Sequence, residues 1–315
     1  MDIRQSSSIP LGRSGLRVSP IGVGTNAWSS RRTKVHGLRE TFDAALSAGI
    51  TFFDTAEIYT LGGSERAVGR SIKAGGPDPG GRVPVVLTKF FPMPWRLRRQ
   101  ALASALRRSL KRLQMPRADV YILHYPSPPV PIETWVDALA DAAEAGLARA
   151  IGVSNFDAPQ MRRAHAVLAK RGIALACNEV EYSLLKRDPE TNGVLAACRE
   201  LGITLIAYRP LALGLLSGKY TAESPPKGWR GLLYRRGYVV KIKPVFDLLR
   251  RIGEERGGKT PSQVALNWTI CKGTLPIPGA TSVKHVHENA GALGWRLADA
   301  EIASLEAAEE KLRRG

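Results

Sequence analysis

Short apolar runs recur along this chain, each followed by an amphipathic stretch of helical spacing, and that alternation constrains the fold more than any other feature. The runs end near residues 24, 53, 88, 123, 153, 177, 207 and 277. The first seven are separated by the length of a strand, a loop and a returning helix. Eight parallel strands with intervening helices predict an α/β protein of the (β/α)8 TIM barrel class, read here as one domain over residues 1–315. The competing fold is a doubly wound dinucleotide-binding sheet. It is discounted because no Gly-x-Gly-x-x-Gly follows the first run, Ile21-Gly22-Val23-Gly24.

Additions to the barrel are legible at both ends. Leu11-Gly12-Arg13-Ser14-Gly15-Leu16-Arg17-Val18 has paired glycines at turn spacing and predicts an N-terminal β-hairpin plugging the barrel's bottom. Leu297, Ile302, Leu305 and Leu312 predict an extra C-terminal helix over 298–312. The wide gap between the last two strands holds residues 217–238, rich in Gly, Pro, Tyr and Trp, and is read as a long loop of the kind that forms lids.

Lys and Arg outnumber Asp and Glu by 46 to 28. Eight of the basic residues fall in 96–117 with no acidic residue among them, and Leu97, Leu102, Leu106, Leu110 and Leu113 sit between them at helical spacing. The segment is read as a barrel helix with a solvated basic face. No zinc finger, aromatic RNA-binding strand or helix-turn-helix accompanies it, so no nucleic-acid partner is expected. No run approaches the ~18 apolar residues of a membrane span, and the first residues lack the apolar segment of a secretory signal. Cys177, Cys198 and Cys271 have neither disulfide-framework nor zinc spacing. A cytoplasmic protein without a metal or membrane partner is expected; its oligomeric state is not readable.

The chemistry lies just past the strand ends. Asp54, Tyr59, Lys89 and His124 each follow an apolar run. In a parallel barrel all strand C-termini open on one face, so an acid, a phenol, an amine and an imidazole converge there. Together they form a proton-donating set. A free tyrosine titrates near pH ~10, and a neighbouring ammonium favours the phenolate. Lys89 held by Asp54 is therefore expected to lower Tyr59, the candidate general acid, while His124 orients and polarises a carbonyl oxygen.

The strings around these residues resemble the aldo-keto reductases. Phe53-Asp54-Thr55-Ala56-Glu57-Ile58-Tyr59, then Gly63-Ser64-Glu65, Thr88-Lys89, Leu123-His124, Gly152-Val153-Ser154-Asn155, Ala207-Tyr208-Arg209-Pro210-Leu211 and Ile277-Pro278-Gly279-Ala280-Thr281 through Glu288-Asn289 stand in that family's order. The resemblance implies a barrel that binds NADPH without a Rossmann domain and reduces aldehydes or ketones. It also implies cofactor contacts. Gly24, Thr25 and Asn26 would lie at the first strand end beside Asp54, and Ser154 and Asn155 on the nicotinamide carboxamide. Tyr208 would stack on the nicotinamide ring. Arg209, Pro210, Leu211 and Gly214 would surround the pyrophosphate. Gly279, Thr281, Ser282, Lys284 and His285 would sit at a phosphate-binding helix start, and Glu288 and Asn289 on the adenine.

Several positions depart from the family pattern, among them Tyr125-Pro126-Ser127, which stands where Trp-Pro-Asp or similar is frequent. Glu179 stands where Gln is usual and adds negative charge beside the ring, and Arg209 stands where Ser is common and is read as a pyrophosphate partner. The Lys near Gly279 and Arg near His285 that many members use for the 2′-phosphate are absent. Thr281, Ser282 and Lys284, with the overall positive charge, still favour NADPH over NADH. The substrate is read as a small carbonyl compound on aromatic walls, drawn from Trp28, Phe91, Trp95, Trp229 and Tyr234. Some relatives reduce pyridoxal. A second reading is a cofactor-bound regulatory subunit with little turnover, like the auxiliary subunits of potassium channels that share this fold.

Overall fold

The computed structural model describes residues 8–29, 32–75, 81–228, 231–232 and 236–314. Eight parallel strands run in chain order around one sheet: β3 (Gly22–Gly24), β4 (Phe52–Asp54), β5 (Val85–Phe90), β6 (Ala118–Leu123), β7 (Ala148–Ser154), β8 (Leu175–Glu181), β9 (Thr204–Tyr208) and β10 (Leu275–Pro276). A parallel bridge between Gly24 and Gly279 closes the ring, with the Gly24 N–H donating to the Pro278 carbonyl at 3.0 Å. The predicted barrel is therefore present, and each strand lies within a few residues of its predicted run.

Helices cover the outside: α1 (Arg32–Ser47), α2 (Gly63–Ala74), α3 (Gln100–Leu113), α4 (Ile132–Glu144), α5 (Ala158–Ala169), α6 (Asp188–Thr191), α7 (Val194–Leu201), α8 (Arg236–Lys241), α9 (Lys243–Glu255), α10 (Pro261–Cys271), α11 (Val283–Ala290) and α12 (Asp299–Arg314). Asp157 and Thr260 start α5 and α10 with capping boxes, each with a Pro in the first turn. The gap before the last strand holds α8 and α9 as well as loop, so the lid reading of 217–238 covers only part of it. Trp229 and Tyr234 lie outside the described residues. Among the described residues no helix is long and apolar enough to cross a membrane.

The basic segment is shorter as a helix than its spacing predicts. Arg96 to Arg99 precede α3, and three of the arginines are consumed by specific partners: Arg96 by Glu57, Arg99 by Asp141 and Arg112 by Glu65.

Side chains alternate across each strand, and the inward set fills the barrel. Phe52, Leu87, Val120, Ile122, Ala150, Cys177, Ile206, Leu275 and Ile277 form this inner cluster. The hairpin β1 (Ile9–Pro10) and β2 (Arg17–Val18), paired Ile9 to Val18, adds Leu11, Leu16 and Val18 to it and plugs the bottom as predicted. The plug seats at Gly12, which has φ +53°; a Cβ there would lie 2.3 Å from the Ala176 carbonyl oxygen. Its N–H donates to Thr204 Oγ1 at 2.7 Å. Both the left-handed backbone and the close approach demand glycine. Gly12→Val is expected to cost at least about 2 kcal/mol of unfolding free energy, checked by urea denaturation.

Candidate active site

Continuing the inward alternation two residues past the apolar core brings polar groups to the barrel mouth. Asp54 follows Phe52, Lys89 follows Leu87, His124 follows Ile122, Glu179 follows Cys177 and Tyr208 follows Ile206. They meet on a cavity of about 800 Å³ at the C-terminal ends of the strands.

Lys89 is fully buried behind this cavity and organises its floor. Its Nζ forms an ion pair with Asp54 and donates to the Thr55 carbonyl at 3.1 Å and to the Tyr59 hydroxyl at 3.2 Å. Glu179 Oε2 lies 3.4 Å from the same nitrogen. Burial alone would lower Lys89, but Asp54, Glu179 and Tyr59 outweigh it and raise its titration, so the ammonium persists. Tyr59 differs from expectation. Burial raises it more than Lys89 lowers it, and Asp54 and Glu179 push the same way, so the phenol stays protonated. A neutral phenol is the form that donates a proton.

The backbone immediately after Tyr59 is unusual. Thr60, Leu61 and Gly62 all have positive φ, at 47°, 56° and 76°. The Thr60 hydroxyl donates to the Trp28 carbonyl at 2.8 Å, which helps to hold this turn. Ser64, buried at the start of α2, donates to the Thr25 carbonyl at 2.8 Å and shares hydrogen bonds with the Thr25 and Thr55 hydroxyls. Glu65 accepts from Thr88 Oγ1 and pairs with Arg112. The Gly63-Ser64-Glu65 string thus braces the strand ends that carry Asp54 and Lys89.

His124 sits against three rings: Tyr125 stacked at 5.2 Å, with Tyr59 and Phe91 edge-on at 5.9 and 5.5 Å. Burial, reinforced by the Lys89 charge, depresses its imidazole to about 3. The ring is neutral, and its Nδ1 is buried without a partner, leaving Nε2 available to a ligand. The Phe91 wall is pinned from behind. Glu57 accepts the Phe91 N–H at 2.8 Å and pairs with Arg96, whose guanidinium donates to the Phe91 carbonyl at 2.8 Å.

Most sequence-predicted cofactor residues line the same cavity: Gly24, Asn26, Ser154, Asn155, Glu179, Tyr208, Arg209, Pro210, Leu211, Gly214, Gly279, His285, Glu288 and Asn289. Thr25 does not; it is buried, donating to the Asp54 carbonyl at 2.7 Å. Thr281, Ser282 and Lys284 stand off the lining too. Ser282 caps α11, and Thr281 bonds to His285 Nδ1 at 3.3 Å. Asn155, with φ 59°, donates to the His124 carbonyl and accepts from the Tyr208 hydroxyl at 3.0 Å, so the imidazole strand and the ring at the mouth are tied together. Arg209 pairs with Glu181 at 3.3 Å. Trp28 is not a pocket wall: it is wholly buried, its Nε1 donating to the Ala280 carbonyl at 2.6 Å. Trp95 is exposed and off the lining.

Ser262 on the lining carried no signal in the sequence; Ile58, Ile277 and Pro278 lie inside the motif strings without an assigned role, while Leu213 falls in the 210–214 stretch and Ser217 and Lys219 open the 217–238 loop. The cavity suits an extended nucleotide. Asn289 Nδ2, near the C-terminal end of α11, is a buried donor without a partner, and it lines the cavity together with Glu288 and with His285 from the first turn of the same helix.

The family model described as "Aldo/keto reductase family" matches residues 20–310. The chain is 42% identical over 310 residues to pyridoxal reductase, chloroplastic, of Arabidopsis thaliana, covering 94% of this chain and 84% of that protein. It superposes with a TM-score of 0.78 on a thermostable enzyme crystallised with the inhibitor epalrestat, at 30% identity and over 96% of this chain and 99% of that one. A Klebsiella pneumoniae enzyme crystallised with NADPH gives 0.75 at 28% identity, over 96% and 95%.

If burial sets the imidazole as described, the His124 ring resonances stay those of a neutral histidine from pH 8 to pH 5 in NMR. A midpoint near 6.5 would contradict this environment.

Proposed function

Because the chain belongs to the aldo-keto reductase family, we propose that it reduces aldehydes, and ketones that fit the same walls, with NADPH as reductant and Tyr59 as general acid. The observation that carries this reading is the buried Lys89 ammonium, which touches both the Tyr59 hydroxyl and the Asp54 carboxylate.

When bound, a reduced nicotinamide supplies the hydride that reaches the carbonyl carbon. The residues here handle the oxygen. Its negative charge develops as the carbonyl becomes an alkoxide, a stronger base than a phenolate. Tyr59, protonated at neutral pH, donates to it. The Lys89 ammonium, 3.2 Å from that hydroxyl, stabilises the phenolate left behind. Asp54 and the Thr55 carbonyl keep Lys89 from moving with each turnover. His124, neutral, offers a second hydrogen bond from Nε2 in the tautomer that leaves Nδ1 unprotonated. Phe91, Tyr125 and Ile58 give the substrate side flat apolar walls, which suits an aldehyde carried on a ring. The resemblance to a plant pyridoxal reductase makes pyridoxal the first member of a test panel.

The residues that would hold the cofactor fit it group by group. Ser154 and Asn155 suit a carboxamide, Tyr208 a ring face, Pro210 to Gly214 and Lys219 a pyrophosphate, and Glu288 with Asn289 an adenine. NADPH is preferred to NADH because His285 lines the cavity in the first turn of α11, whose N-terminus, with Lys284 adjacent in sequence, favours an anionic 2′-phosphate.

Tyr59→Phe is expected to lower kcat for an aldehyde panel, followed by loss of NADPH absorbance, by roughly 10²–10⁴-fold. NADPH affinity should stay within a few-fold. Retained turnover would remove Tyr59 as the acid, and no turnover by the unaltered protein on any aldehyde would favour the regulatory reading. Separate Kd measurements should show NADPH bound at least about tenfold more tightly than NADH, the scale of one good charge-assisted contact; equal affinities would refute the preference.

A further inference from the structure

Lys89 has a second carboxyl beside it that proton donation by Tyr59 does not require. Glu179 is 2% exposed, comes from β8 on the far side of the mouth from β4, and lines the cavity. Its Oε2 lies 3.4 Å from Lys89 Nζ yet has no hydrogen-bond partner. Its backbone is fixed: the carbonyl accepts from the Ser154 hydroxyl at 2.8 Å and the Asn155 N–H at 2.9 Å. One ammonium thus faces two buried carboxyls. Ionising both leaves an excess negative charge in an apolar surround, and a proton held between the carboxyls removes it.

We propose that Glu179 is a positioning residue that exists in two protonation states, neutral and hydrogen-bonded to Asp54 or ionised beside Lys89, and that this change sets the relative affinity of the site for reduced and oxidised nicotinamide. The inference rests on the dinucleotide reading above and adds a regulated electrostatic element to it.

The groups facing Glu179 from every packed element are few. Asp54 on β4 and Lys89 on β5 are closest, with the Tyr59 hydroxyl beyond the ammonium. On its own strand lies the Cys177 thiol, which burial keeps protonated. Tyr208 on β9 is likewise held as a phenol by burial. None of these three changes charge between pH 6 and 10, because each is pushed above its ordinary value. Burial and the Asp54 charge outweigh Lys89 and raise Glu179 to about 8. Below that pH the neutral acid can both donate and accept, as the Gln usual here does. Above it, the carboxylate adds a negative charge to the mouth. An oxidised nicotinamide ring is cationic and a reduced one is neutral, so the ionised form of Glu179 favours the oxidised cofactor. By linkage, preference for NADP⁺ over NADPH must rise with pH across that transition.

The test is the Kd of NADP⁺ and of NADPH, each titrated by protein fluorescence between pH 6 and 10, for the wild-type chain and for Glu179→Gln. Taking the ratio cancels titration of the phosphates, which the two cofactors share. In the wild type the ratio Kd(NADPH)/Kd(NADP⁺) should grow about tenfold or more through pH 8, the effect of one buried unit charge beside the cavity. In Glu179→Gln it should be flat. A flat wild-type ratio, or the same slope in both proteins, overturns the proposal. Infrared difference spectra of the wild-type protein give an independent reading. A protonated-carboxyl band lost near pH 8 and missing from Glu179→Gln supports it, and its absence at pH 6 sinks it. Failure of either cofactor to bind, with that band present, would instead strike the dinucleotide reading.

Discussion

A single ammonium, that of Lys89, holds the mouth of this barrel together. Removing a lysine from water is costly, and the expense is tolerable only when opposite charge and hydrogen-bond acceptors surround it. Here they come from separate segments: Asp54 at the end of β4, the Thr55 carbonyl and Tyr59 from the turn that follows, and Glu179 from β8. Removing Lys89 would leave two buried carboxyls with no counter-ion, so the same nitrogen carries local stability and the proposed proton chemistry. This explains why Tyr59 stays a phenol although an ammonium touches it. Burial is the larger effect, and the carboxyls that share the ammonium offset part of its field.

The barrel makes this gathering inexpensive by geometry. Parallel strands in register share one inward face, and each chemical group is the next inward position after an apolar core residue. What the strands cannot supply, the turns do. Among the described residues, seven non-glycine positions have positive φ, and six of them (Thr60, Leu61, Asn155, Arg209, Ala212 and Leu213) belong to the loops at this mouth. Left-handed backbone costs L-residues about 1 kcal/mol or more each. Its concentration at one end of the molecule marks where structure has been fitted to a ligand rather than to folding alone.

That division also explains what could be read from sequence. The strands were legible because each is a short apolar run at a fixed spacing, and the inward alternation gives Asp54, Lys89, His124 and Glu179 a shared face. The partners of arginines were not legible. Arg96 reads as the first residue of a basic helix, yet it lies before α3 and pairs with Glu57 across a loop, which no periodicity encodes. Trp28 reads as a pocket aromatic, but its N–H meets the Ala280 carbonyl across the barrel closure. Arg209 reads as a phosphate partner, while Glu181, two residues past Glu179 on the same strand, takes its guanidinium. In each case a long side chain chose between partners distant in sequence, a choice settled by packing.

The departures from the family pattern at Arg209 and Glu179 then separate into different environments. Arg209 and Glu181 sit partly in solvent at the rim, where water screens their pairing and an approaching anion competes for the arginine at little cost. Glu179 is buried deeper in the mouth and shares Lys89 with Asp54. When ionised, a carboxylate in the second place bears on the field across the cavity far more than a positive charge in the first. The replacement of an amide by an acid at residue 179 is therefore the substitution with the greater consequence for chemistry, and Arg209 does not neutralise it from the rim.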